Sequence, residues 1–295
     1  MTIQHLPFCL ERKGERPIHG KWHLPRDNAK GTVLFLHGYK GHMDWGAWPQ
    51  VGDAVAQSGW RFLRINFTHN GTAPDHPTAF VDLAGFAANT HRRELEEAHA
   101  VVTALRTPTP ENKTGTHQGP LAIIGHSRGG GIACLTATEA NAACLQRKWN
   151  GVSHLITWAS VADFNSRFPK GDALLTWEKE GQMEVINHRT RQRLHHDWRF
   201  YSDFQSHAQR LNIQRAMEQY PGPSLIVHAA DDPAVPLSHA HQLSGWSQNP
   251  TLFITTDGAH TFGAREPWIE SALPAPLKGV MQTTLRFLEE GRAVS

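Results

Sequence analysis

Cysteine is scarce in this chain: three among 295 residues, Cys9, Cys134 and Cys144. They form no C-x-x-C pair and leave one over, which argues against a disulfide framework. Long apolar runs are missing too. No stretch reaches the roughly eighteen residues that a membrane-crossing helix needs. The opening residues, MTIQHLPFCLERKGER, lack a basic stretch followed by a long apolar one, so no secretory leader is expected. A cytoplasmic, reducing location follows as the default. Charge of one sign is absent as well. Lys and Arg number 29 against 27 Asp and Glu, a net +2 that offers little to nucleic acid or to an anionic membrane surface. Neither a Rossmann glycine fingerprint nor a P-loop lysine motif occurs, so no nucleotide cofactor is expected. The pairs His195-His196 and His239/His241 lack metal-ligand patterns such as H-E-x-x-H, so no metal is expected either. There are no internal repeats and no low-complexity tracts.

What the chain does hold is 39% hydrophobic residues, 10 tryptophans and 20 histidines. The apolar share suffices for one sizeable core, and the length admits one large domain or two small ones. Strand-like and helix-like stretches alternate. Residues 18–24 read as an early antiparallel strand ended by Pro25, and 32–36 as a buried strand. A helix over 45–58 is cut near Pro49, and the strand at 61–67 opens into a turn-rich loop over 69–77. The clearest helix covers 90–106. There Leu95, Ala98, Val102 and Leu105 share one face, with Arg92, Arg93, Glu96 and Glu97 elsewhere. A polar linker rich in Thr, Pro and Gly spans 107–119. Strands follow at 121–124, 154–159, 224–228 and 251–255, and a helix over 276–290 closes the chain. This alternation implies an α/β fold, a mostly parallel sheet covered on both faces.

One stretch, 161–222, breaks the alternation. It sets Trp177, Trp198, Phe200, Tyr201 and Phe204 beside many charged groups. Residues 183–187 and the Arg-rich run after them suit a hairpin, and 199–219 look helical. The stretch is expected to form a small lid that selects substrates and excludes water. Its Arg189, Arg191, Arg193 and Arg199 suit a solvated face, or else a bidentate site for a substrate carboxylate.

The chemistry-bearing pattern is Gly-His-Ser-Arg-Gly at 125–129, between the apolar run at 121–124 and the small-residue run at 130–135. A G-x-S-x-G turn between strand and helix strains the serine backbone and lifts the hydroxyl of Ser127 clear of the sheet. Gly125 and Gly129 leave room where strand and helix nearly touch. The helix start supplies unpaired N–H groups and a positive dipole end that suit a developing oxyanion. Without a nucleophile, the same turn would be a phosphate-binding loop. A serine nucleophile needs a base, and the base an orienting acid. The strand at 224–228 runs into an acidic turn that offers Asp231 and Asp232, and the strand at 251–255 leads to His260. Both lie past strand C-termini, where open α/β sheets place their sites. Turn chemistry alone explains an aspartate before proline, and one histidine among 20 means little. The position of His260, after a buried strand and a glycine turn, distinguishes it. His37 and His126 are expected to hold loops, and Cys134 and Cys144 to be small buried hydrophobes.

A candidate oxyanion loop, HGYKG at 37–41, follows the strand at 32–36. With GHSRGG at 125–130, HAADDPAVP at 228–236 and DGAHTF at 257–262, the chain resembles α/β-hydrolases of the serine esterase type, near the dienelactone-hydrolase-like and serine-aminopeptidase-like branches. The resemblance covers about residues 18–290. It implies an α/β-hydrolase fold with a central sheet of about eight strands, a single domain over 1–295 with the insertion at about 161–222 inside it. It implies that the residue after His-Gly and the residue after the nucleophile donate backbone N–H groups to the oxyanion: Tyr39 and Arg128. The family pattern D-x-x-V-P selects Asp232 over Asp231 as the acid. The implied activity is that of a serine hydrolase without cofactor or metal, a carboxylesterase acting on small or medium acyl esters through an acyl-enzyme. A peptidase or an acyltransferase uses the same chemistry, and a noncatalytic ligand-binding relative keeps the fold without it. The implied partner is a small-molecule ester, with neither nucleic acid nor membrane. Substrate and oligomeric state stay open, because this fold hosts many chemistries.

Overall fold

Apolar runs of five to seven residues supply the strands, and a computed structural model places them. It describes residues 3–107, 119–147, 151–187 and 189–290. The linker expected over 107–119 falls outside these from 108 to 118, as does the side chain of Cys144. Ten strands are described: β1 (Gln4–Leu10), β2 (Ile18–Leu24), β3 (Thr32–Leu36), β4 (Arg61–Ile65), β5 (Leu121–His126), β6 (His154–Trp158), β7 (Gln182–Asn187), β8 (Gln192–Asp197), β9 (Ser224–Ala229) and β10 (Pro250–Thr255). Eight form one sheet in the order β1-β2-β4-β3-β5-β6-β9-β10. The pairs β1–β2 and β2–β4 are antiparallel, and the six strands from β4 to β10 in that order run parallel to one another. β7 and β8 pair separately as an antiparallel ribbon.

Nine helices are described: α1 (Trp48–Gln57), α2 (Leu83–Ala87), α3 (His91–Arg106), α4 (Arg128–Arg147), α5 (Asp172–Glu180), α6 (Arg199–Ser206), α7 (Ile213–Gln219), α8 (Ser238–Trp246) and α9 (Ala275–Glu290). Alternate strand residues divide between two cores, as the pleat requires. Leu34, Leu63, Ile123 and Leu155 pack with Leu95 and Val102 of α3 and Ile132 and Leu135 of α4. Val33, Phe62, Ala122 and Ile156 pack with Val51 and Val55 of α1 and Val280 and Leu288 of α9 on the other face. Central strands buried on both sides read as unbroken apolar runs, which made them legible in the sequence.

Helix boundaries follow local chemistry. Thr90 caps α3, its hydroxyl accepting the Arg93 N–H at 3.1 Å. Pro49 starts α1 and does not cut it, because the missing N–H is tolerated in a first turn. The helical stretch expected over 199–219 divides into α6 and α7, and the Asn212 side chain restarts the second by accepting the Arg215 N–H at 2.9 Å. The ribbon β7–β8 forms where a hairpin was expected. β1, α2, α5 and α8 had no sequence expectation. Among the described residues no helix is long and apolar enough to cross a membrane.

Candidate active site

β5 ends at His126 and α4 begins at Arg128, so Ser127 alone makes the turn. Its φ of 56° is in the left-handed region, which costs a non-glycine residue about 1–2 kcal/mol. The turn is held regardless: Ser127 N–H donates to the Trp158 carbonyl at 2.9 Å, and the Ser127 carbonyl accepts the Gly130 N–H at 2.9 Å. A methyl group on Gly125 would stand 2.2 Å from the Gly129 carbonyl oxygen, so strand and helix touch here, as the spacing implied.

The three sequence-selected side chains converge. His260 Nε2 stands 2.9 Å from Ser127 Oγ, and His260 Nδ1 stands 2.8 Å from Asp232 Oδ2. Asp232 follows β9, and His260 sits in a tight turn after β10 whose Ala259 and Phe262 also have positive φ. The Asp232 side chain is fully enclosed, while His260 keeps about a quarter of its surface open. The Asp232 Oδ1 atom accepts the N–H groups of Ala234 and Val235 at 2.8 and 3.0 Å. Burial alone would raise the Asp232 pKa, but hydrogen bonds from His228 and His260 outweigh it and hold the carboxyl well below the usual range. Asp231 has a different partner: its Oδ1 accepts the Ala259 N–H at 2.8 Å, beside His260 in the chain.

Two further histidines support this arrangement. His228, fully buried on β9, donates from Nε2 to the Val235 carbonyl at 2.9 Å, and the same nitrogen lies 3.4 Å from Asp232 Oδ2. Sequence reading passed over it as a strand residue. His126 donates from Nε2 to the His260 carbonyl at 2.9 Å, holding the loop as expected. Burial, with the neighbouring His260, pushes the His126 pKa down to about 3, so it stays neutral near pH 7.

The 37–41 loop crosses directly over Ser127. A methyl group on Gly38 would stand 2.8 Å from Ser127 Cβ, so only glycine allows this approach. His37 sets the orientation of the next peptide. The Phe67 N–H donates into His37 Nε2 at 3.3 Å, so Nδ1 carries the proton and donates to the Gly38 carbonyl at 2.9 Å. That carbonyl also accepts the Gly41 N–H at 3.1 Å. A trans peptide points its N–H opposite its carbonyl, so the Tyr39 N–H faces away from both donors. Among the described residues, no protein group accepts the N–H of Tyr39 or that of Arg128 at the start of α4.

Behind these donors lies a charged pair. Arg128 Nη2 donates to Glu94 Oε1 of α3 at 2.6 Å, with both side chains almost wholly buried. Burial raises the Glu94 pKa despite the pull of Arg128 and a hydrogen bond from Asn89. The four arginines of the 189–199 run are exposed, with Arg193 beside Glu184. Among the described residues, no hydrogen bond or ion pair joins any of them to Ser127, Asp232 or His260.

A cavity of about 770 Å³ lies away from Ser127, along β1 and β2, lined among others by His5, His23, Asp53 and Arg64. There His5 Nε2 and His23 Nδ1 each stand 2.7 Å from Asp53 Oδ1. These three have metal-ligand atoms within 4.8 Å of one another. However, Arg64 Nε donates to His23 Nε2 at 2.8 Å, which leaves the His23 proton on Nδ1, facing Asp53. The set therefore forms a hydrogen-bonded chain and not an open ligand set. No spacing pattern in the sequence pointed to it, because its members are 18 to 48 residues apart.

Residues 33–270 match the family model described as alpha/beta hydrolase family. Among solved structures, Est1E from Butyrivibrio proteoclasticus with ferulic acid bound is 17% identical, covering 97% of this chain and 100% of that one at a TM-score of 0.70. The esterase domain of a Rhodothermus marinus protein is 18% identical, with 98% and 99% coverage and a TM-score of 0.63. Dienelactone hydrolase from Anabaena variabilis is 15% identical, with 98% coverage of each and a TM-score of 0.57. At such identities the likeness is one of fold. No curated protein matches the chain.

Proposed function

This chain belongs to the alpha/beta hydrolase family, and on that premise we propose that it is a serine hydrolase cleaving carboxylic esters of small or medium acyl groups through an acyl-enzyme. The observation that carries this reading is the continuous relay from Asp232 through His260 to Ser127, at 2.8 and 2.9 Å. Ser127 Oγ attacks the ester carbonyl carbon while its proton passes to His260 Nε2. Asp232, ionised because of its hydrogen bonds, keeps the imidazole tautomer correct and stabilises the cation. The carbonyl oxygen becomes an oxyanion and takes the N–H groups of Tyr39 and Arg128. Collapse breaks the bond to the alcohol, which leaves with the proton from His260. Water then attacks the acyl-enzyme, gives its proton to His260, and the acid departs as Ser127 is restored.

We place the chain nearest the dienelactone-hydrolase-like and serine-aminopeptidase-like branches, as one domain in which the 161–222 insertion acts as a lid. Its contacts support that role: Lys40 Nζ donates to the Ile186 carbonyl at 2.8 Å, tying β7 to the 37–41 loop. The test is a panel of p-nitrophenyl esters, aminoacyl amides and thioesters, with hydroxycinnamate esters included because of the ferulic acid in Est1E. A fluorophosphonate probe should label the protein, and Ser127→Ala should abolish labelling and lower kcat by about 10⁴–10⁶. An alanine variant that still hydrolyses the best ester at the parental rate would overturn the reading.

A further inference from the structure

His196 lies 157 residues from Tyr39 in the chain, yet its Nε2 meets the Tyr39 hydroxyl at 2.8 Å. The two rings also stack, with centroids 5.5 Å apart and planes 27° apart. Phe86 stacks on both rings, and Phe200 lies against His196 at 4.5 Å. The Arg128 guanidinium carbon sits 4.7 Å over the Tyr39 ring, so the side chains of the two proposed oxyanion donors meet each other. His196 is itself fixed: it is 2% exposed, on β8, and its carbonyl accepts the Trp177 indole N–H at 3.0 Å. The Gly38–Tyr39 peptide thus has two anchors. His37 and Gly41 hold its carbonyl, and the Tyr39 side chain holds its other end.

We propose that His196 is a positioning residue for the oxyanion: by fixing the Tyr39 ring, it aims the Tyr39 N–H that stands unclaimed beside Ser127. The inference rests on the acyl-transfer reading above and adds a task for the insertion. Besides covering the site, the ribbon completes the oxyanion hole. Burial, then the charges of Arg128 and Lys40, push the His196 pKa down to about 3, so the contact is between neutral groups across the working pH range.

The decisive comparison is His196→Ala against His196→Gln, because a glutamine amide can still reach the Tyr39 hydroxyl. Removing an oxyanion donor outright costs about 10²–10³ in kcat, and misaiming one costs less. His196→Ala should therefore lower kcat about 10- to 100-fold on the best ester while KM stays within about threefold. Its affinity for a trifluoromethyl ketone, which forms an oxyanion on Ser127, should fall by the same factor. His196→Gln should recover most of both losses. Amide hydrogen exchange over 38–41 should quicken in the alanine variant and not in the glutamine variant. A raised KM with unchanged kcat would make His196 a substrate wall and overturn the proposal. So would equal losses in both variants with exchange over 38–41 unchanged. A parent protein that neither labels with fluorophosphonate nor turns over any ester would sink the acyl-transfer reading, and the exchange measurement would still decide whether His196 holds the loop.

Discussion

Lowering the pH should unfold this protein before most of its carboxylates protonate, because so many of its histidines are buried uncharged. Burial is the main cause that lowers the pKa of His23, His37 and His69 to about 4, and that of His42, His126 and His196 to about 3. All six are under a tenth exposed. In the unfolded chain each titrates near 6.5. Between about pH 6 and 4 the unfolded chain therefore binds protons that the folded protein refuses, and stability falls as pH falls. Each such histidine contributes up to about 1.4 kcal/mol per pH unit in that window. Two buried glutamates act in the opposite sense. Burial raises Glu97 to about 7 and raises Glu94 as well, so the folded state takes up protons there first. The balance is still a loss of roughly 5 kcal/mol per pH unit near pH 5.5, against a typical total stability of about 5–15 kcal/mol. Urea unfolding at 25 °C followed by far-UV circular dichroism, at half-unit steps from pH 7.5 to 4.5, reads this directly. The midpoint should drop steeply below pH 6, with cooperative unfolding near pH 5 in buffer alone. An unfolding free energy that stays constant within about 1 kcal/mol from pH 7 to 5 would refute the reasoning, because linkage leaves no other outcome for histidines buried in the neutral form.

Other expectations concern single residues. Asp232→Asn should cost about 10³–10⁴ in kcat, because the amide favours the wrong imidazole tautomer. Asp231→Asn keeps an oxygen for the Ala259 N–H and should cost less than about tenfold. Assays of both on one ester, with thermal melts, decide the pair, and a crippled Asp231→Asn would move the acid assignment. Gly38→Ala puts a methyl group 2.8 Å from Ser127 Cβ and displaces the Tyr39 N–H, so kcat should fall at least about 10²-fold. A parental kcat in that variant would contradict the proposed hole. His42 is fully buried with neither ring nitrogen hydrogen-bonded among the described residues. His42→Met should raise stability at pH 7 by about 1–2 kcal/mol and flatten the acid limb of the curve, both read from the same urea series.

By itself the sequence determined much of what repeats locally, though β1, α2, α5 and α8 were not read from it. The central parallel strands were legible because both their faces are buried, and α3 because its apolar residues recur at helical spacing. The elbow at Ser127 was legible because two glycines must flank it at fixed distances. Asp232 and His260 were legible as turn residues just past strand ends. What only the tertiary structure decided is which side chains meet. Two adjacent aspartates divide between His260 and the Ala259 N–H, a difference of direction that no pattern of two identical residues carries. His228 looks like any strand residue until the 229–235 turn folds back on it. Glu94 reads as part of a polar helix face, and its burial against Arg128 arises only when α3 packs on α4. His196 sits in a charged run, and its contact with Tyr39 depends on the ribbon folding back over the sheet. Periodicity is set by the backbone and by which face meets water, so it can be read along the chain. A single contact between distant side chains has no period, and exists only once two packed layers bring them together.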